Sequence, residues 1–216
     1  MKNFQKTLGL LLGSFASLCV FSQYDVKASD AIIYNSQGDF VAGISAGTVF
    51  TNTFSDISGG GHDLHYTNQA ATISYDVTAP PGGLFFISPG TIPNPAVASY
   101  NYDNPLRVDF TSSGVNAVGG LFFLSDIYGG VTGGTVTVGL SDGTSATFSA
   151  GGFHGFIVPG VLNGGVDITY LTISSSVAGE FPSLDNLMVA IEVPEPSTLA
   201  LAGLGAGALL LFRRKK

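Results

Sequence analysis

Residues 134–149 read GTVTVGLSDGTSATFS, and the fold class follows from their spacing. Val136, Val138 and Leu140 alternate with Thr135, Thr137 and Gly139; Asp142-Gly143 interrupts, and Ala146 and Phe148 resume the period. A period of two places successive side chains on opposite faces of an extended strand. Asp-Gly tolerates the positive φ a tight turn requires, so the stretch predicts a β-hairpin with one apolar face.

The same signals recur on both sides. ATISYDV (71–77), LRVDFTS (106–112), TYLTISS (169–175) and NLMVAIEV (186–193) are short, rich in β-branched or aromatic residues and bounded by turn formers. No amphipathic helix is expected among them. Many short strands without βαβ alternation predict an all-β fold, an antiparallel β-sandwich of jelly-roll type, over residues 29–192. GGLFFIS at 82–88 is nearly repeated as GGLFFLS at 119–125. The flanks differ and no third copy follows, so both read as strands buried on both faces rather than as a repeat architecture.

The two ends carry different chemistry. Lys2 and Lys6, an apolar run over 8–21 and small residues around Ala28 form the three-part layout of a secretory signal helix, expected over residues 1–28. Cys19 is the only cysteine, and Leu18 stands where a lipobox has a small residue. Cleavage after Ala28 leaves an exported segment with no disulfide, no thiol nucleophile and no cysteine metal ligand. Residues 29–193 hold thirteen carboxylates against the single cation Arg107, a net charge of -12. That balance excludes nucleic acid and anionic lipid as partners, because both are bound through Lys and Arg. Cations and neutral glycans stay open.

At the C-terminus, Pro194, Glu195 and Pro196 precede an uncharged run over 197–212 and the basic stop Arg213, Arg214, Lys215 and Lys216. As a helix the run reaches about 24 Å, slightly short of the roughly 30 Å hydrocarbon core, so it spans with help from its flanks. The four cations hold the end in the cytoplasm and place the rest of the exported chain outside the inner membrane. Residues 193–216 resemble the PEP-CTERM sorting signal of bacterial exported proteins, by the Pro-Glu-Pro tripeptide, the Ala/Gly/Leu transmembrane helix and the basic end in that order. The resemblance implies recognition by an exosortase, cleavage near the tripeptide and transfer to the cell surface or extracellular polysaccharide matrix. The stretch 108–148, with 168–176 and 181–193, is similar to sandwich domains found ahead of such tails. That likeness implies a galactose-binding-like or lectin-like sandwich.

Four patterns bear on chemistry. Gly43-Ile44-Ser45-Ala46-Gly47 matches G-x-S-x-G with His154 as a conceivable base, but Thr48-Val49-Phe50 reads as strand where a nucleophile elbow needs a helix. His62, Asp63 and His65 begin a zinc or copper set that His154 could complete, or else decorate a polar loop tip. Asp is plentiful, yet the E-x-D-x-x-E strand pattern of jelly-roll glucanases is absent, so the carboxylates read mostly as turn and surface residues. Asp185 and Asn186 read as the entrance to the last strand. There the similarity to extracellular sandwiches implies a Ca²⁺ clamp joining the chain's ends, with Asp30, Asp39 or Glu192 as a source of further oxygen ligands; the other reading is an Asx turn. The sequence establishes no cofactor, and Ca²⁺ is the first candidate. Three functions fit: a non-enzymatic surface or matrix protein contacting glycan, a purely structural matrix protein, or a secreted polysaccharide hydrolase.

Overall fold

The structure, a computed structural model, describes residues 31–44, 47–57, 62, 63, 65–70, 73–87, 95–159 and 167–192. The expected leader, Asp30, Ser45, Ser88 and everything from Val193 onward, including the sorting tripeptide, the transmembrane helix and the basic stop, lie outside the described residues. Among the described residues, no helix is long and apolar enough to cross a membrane.

The strands are β1 (Ile32–Tyr34), β2 (Gly47–Asn52), β3 (His62–Asp63), β4 (His65–Ala70), β5 (Ile73–Thr78), β6 (Leu84–Ile87), β7 (Ala96–Ser99) and β8 (Leu106–Phe110). They continue as β9 (Val115–Ser125), β10 (Val131–Thr132), β11 (Thr135–Leu140), β12 (Ser145–Ser149), β13 (Gly152–Ile157), β14 (Tyr170–Ser175) and β15 (Phe181–Glu192). One sheet, sheet A, has the order β1-β13-β9-β15-β7-β6-β3, with β10 added on β9 and β2 on β15; the other, sheet B, runs β12-β11-β14-β8-β5-β4. The described strand pairs are antiparallel.

The hairpin read from residues 134–149 is β11 and β12, registered from Thr135 opposite Ser149 to Gly139 opposite Ser145. Gly143 is at φ 92°, and its N–H donates to Leu140 O at 3.1 Å, while Asp142 Oδ1 accepts from Thr144 N at 2.9 Å. Val136, Val138 and Leu140 therefore face inward, joined by Tyr75, Val77, Val108, Leu171 and Ile173 from sheet B. Opposite them, Leu84, Val97, Phe122, Leu184 and Val189 of sheet A complete one core between the sheets. Burying each such side chain contributes about 1.5–3 kcal/mol, which offsets chain entropy without any crosslink.

One short helix was not anticipated. α1 (Gln37–Gly43) starts at Ser36, whose Oγ accepts from Asp39 N at 3.1 Å and donates to Asp39 Oδ2 at 2.8 Å. This reciprocal cap satisfies an orphan N–H and places a negative charge at the helix start. Phe40 anchors the helix on the outer face of sheet A, over Gly155 and among Ala117, Ile157, Met188 and Ala190. An ideal Cβ on Gly155 would lie 2.3 Å from Phe40 Cδ2, so glycine is what lets the ring sit on the sheet.

The near-repeat resolves unequally. In β9 the segment is buried on both faces, as expected, apart from half-exposed Leu121; in β6, Phe85 and Phe86 remain partly exposed. β9 lies between β13 and β15, whereas β6 lies near the sheet's end, next to the two-residue β3.

Candidate functional site

A groove of about 490 Å³ lies where the outer face of sheet A meets two connections. Phe85 and Phe181, from strands β6 and β15, pack with Ile87, Ala96, Ala98 and Phe123 in an apolar cluster separate from the main core. The segment after β7 forms one wall. Tyr100 N donates to Gly83 O at 2.9 Å, Ser99 Oγ donates to Asn101 O at 2.7 Å, and Asn101 Oδ1 accepts from Asp103 N at 3.1 Å. These local bonds are what Asn and Ser supply in turns. They hold Tyr100 and Tyr102 outward, 50% and 40% exposed, with the Tyr102 ring edge-on to Phe181 at 6.2 Å.

The turn from β9 to β10 forms the other wall. Asp126 Oδ1 accepts from both Tyr128 N and Gly130 N at 2.8 Å, and Gly129, at φ 81°, closes against Ile87. The turn presents Ile127, 68% exposed, to the groove. The site thus combines aromatic rings, an amide, hydroxyls and one carboxylate on fixed backbone. Such a mixture of apolar surface and a few placed polar groups is the makeup of a small-molecule or sugar site. Beyond Tyr102 a second, polar groove of about 290 Å³ runs between Asn104 and residues 174–178. Asn104 Nδ2 is buried there without a hydrogen-bond partner.

The residues singled out from sequence lie elsewhere. Asp185 and Asn186 are not at the start of the last strand but inside β15, at a bulge where Asn186 and Leu187 pass Gly120 between the pairs Asp185–Leu121 and Met188–Gly119. On its other side β15 changes partner at this point, from β7 to β2. Asn186 takes φ 50°, a conformation Asn tolerates better than most residues. Asp185 is buried, its Oδ1 accepting from Asn186 N at 2.6 Å and its Oδ2 from Asn186 Nδ2 at 3.2 Å. Ca²⁺ takes six to eight oxygens, and among the described residues no group of three His, Cys, Asp or Glu could hold a metal. Asp39 belongs to the cap of α1. Of the proposed clamp, Asp30 and the Glu192 side chain lie outside the described residues.

His154 lies in β13, buried, stacked on Phe148 at 3.5 Å between ring centres, with Nδ1 2.9 Å from Asn35 Oδ1. Burial lowers its pKa. Its strand lies five spacings from β3, about 24 Å at ~4.8 Å per strand, so it cannot complete a metal set with His62. The G-x-S-x-G segment joins α1 to β2, helix first and strand second, the reverse of a nucleophile elbow. Of the remaining acids, Asp109 forms a two-point pair with Arg107, Asp76 accepts from Thr67 Oγ1 at 2.6 Å, Asp142 holds its turn and Asp167 accepts from Gly114 N at 2.7 Å.

The groove residues were missed because they come from four separate segments. The local signal was Ser-Tyr-Asn-Tyr-Asp-Asn-Pro at 99–105, two aromatics inside a turn-forming string.

β15 ends at Glu192, and a family model begins there: residues 192–215 match the PEP-CTERM protein-sorting motif. The chain carries a PEP-CTERM sorting signal. The PEP-CTERM motif implies export, a transit form anchored in the membrane by its C-terminus, and processing by an exosortase. No curated protein and no solved structure matches the chain.

Proposed function

We propose that this exosortase-sorted protein ends at the cell surface or in the extracellular polysaccharide matrix, where its two-sheet domain contacts glycan without catalysis. The observation that carries this reading is the groove between Tyr100, Tyr102 and Ile127, whose aromatic faces stand exposed on hydrogen-bonded backbone. Pyranose rings offer apolar C–H faces and equatorial hydroxyls, which suit aromatic faces beside Asn101 and Asp126. A jelly-roll, galactose-binding-like or lectin-like ancestry belongs to the same proposal, supported by two antiparallel sheets around one core.

Electrophoresis of the exported protein through gels containing neutral, N-acetylated and amino polysaccharides tests it. Retardation by at least one polymer is expected, weakened about 2- to 12-fold by Tyr100→Ala or Tyr102→Ala, from ~0.5–1.5 kcal/mol per aromatic contact. No retardation by any polymer would leave a structural matrix protein, and release of reducing ends would make it a hydrolase.

A further inference from the structure

We infer that the groove selects polysaccharide bearing free amino groups over neutral or acidic polysaccharide, an inference that rests on the glycan reading above. Asp126 is the one charged side chain among the groove's described lining residues. Both described hydrogen bonds to its carboxylate fall on Oδ1, from backbone N–H groups of its own turn. The turn thus holds a carboxylate in the groove that the partly exposed Tyr100 and Tyr102 rings also line. An ammonium group is matched by both elements, since a cation is attracted to an aromatic face and to a carboxylate, whereas an acetamido group is matched by neither charge term.

The rest of the domain reinforces this choice. Asp103 follows Tyr102 in the chain and lines the neighbouring polar groove, adding a second negative charge nearby. Arg107, the only Lys or Arg in residues 29–193, lies on the outer face of sheet B. There it is bound at two points to Asp109, with its guanidinium carbon 3.8 Å from the Tyr170 ring centre. Neither Lys nor Arg is therefore at hand to hold a uronate or sulfate in the groove, and the net charge of -12 draws polycations toward the whole domain.

Asp126→Asn separates charge from architecture, because the Asn side-chain oxygen can still accept from Tyr128 N and Gly130 N. Binding of a β-1,4-glucosamine hexamer and of its fully N-acetylated counterpart to the exported protein would be measured by calorimetry at low salt, at a pH where the amines are protonated. The expected result is at least fivefold tighter binding of the amino hexamer. Asp126→Asn should reduce that preference to below twofold without changing affinity for the acetylated hexamer, and Asp76→Asn, the same charge change on sheet B, should leave it intact. Equal affinity of the two hexamers, a preference that survives Asp126→Asn, or an equal loss in Asp76→Asn overturns the amino-sugar inference and leaves the glycan reading standing. If neither hexamer binds and no polysaccharide retards the protein in gels, the glycan reading falls as well.

Discussion

Replacing Gly155 by Ala should destabilise the domain only while Phe40 is present. A Cβ built on Gly155 lies 2.3 Å from Phe40 Cδ2 and 2.6 Å from its Cγ, inside any tolerable carbon contact. The ring has little freedom to retreat, because Tyr34 and Phe153 flank it at centroid distances of 6.2 and 5.6 Å. Overpacking of this kind costs about 1–3 kcal/mol. Phe40 is fully buried, so Phe40→Ala should cost about 3–5 kcal/mol through lost burial and the cavity left behind. Independent effects would sum to about 4–8 kcal/mol. In the double mutant the clash disappears and the new methyl occupies vacated space, worth up to ~0.8 kcal/mol of burial. The double mutant should therefore be no less stable than Phe40→Ala alone, a coupling of about 1–4 kcal/mol. Urea unfolding followed by far-UV circular dichroism and tyrosine fluorescence measures all four corners of the cycle, the chain having eight Tyr and no Trp. Additivity within about 0.5 kcal/mol would refute the contact between α1 and β13.

Gly143→Ala should cost about 1–2 kcal/mol, from backbone strain alone, since φ is 92° and nothing lies within 4 Å of the added Cβ; Gly143→Asn should cost less, and equal thermal unfolding of wild type and both variants would exclude the turn geometry. His154 has a lowered pKa in the folded state, so between that value and its unfolded value of about 6.5 the unfolded chain binds more protons. Its contribution to stability should be complete above about pH 6.5 and be lost as pH falls through that window, and His154→Phe should flatten this part of the stability profile. Changing Pro194, Glu195 and Pro196 to Ala should leave the exported protein in the membrane fraction with unchanged circular dichroism, and processing identical to wild type would show that the tripeptide is not what the exosortase reads.

Much of this molecule was legible locally. The alternation in β11 and β12 appears in the structure residue for residue, because a half-buried strand must put every second side chain into the core. β5, β8 and β14 followed from the same rule. α1 was missed although Ser36-x-x-Asp39 is a helix-start signal, since seven residues are too few for a convincing apolar stripe. The Asp185-Asn186 pair was misplaced for a different reason. Leu184 points into the core, and without an added residue the inward positions would next be Asn186 and Met188; the bulge resets the phase so that Leu187 and Val189 point inward. An acidic pair ahead of an apolar run looks like a strand start, when here it marks a phase change within one strand.

The order of apolar residues, the turn at Asp142-Gly143, the absence of βαβ alternation between residues 31 and 192 and the chemistry of the C-terminal tail are written in the sequence, because each depends on neighbours a few residues apart. Which face of each strand meets the core is not. The two near-identical heptapeptides show this directly: in β6, Leu84 and Phe86 turn to the core and Phe85 and Ile87 outward, whereas in β9 Phe122 and Leu124 turn inward and Phe123 outward. Alternation fixes which side chains share a face, but when both faces are apolar it leaves the choice to the strands alongside. That choice puts Phe85 and Phe123 into one outer cluster and, with Phe181 and the 99–105 segment, creates the groove. A site assembled from residues 85, 99–102, 126, 127 and 181 exists only after strands distant in sequence have paired.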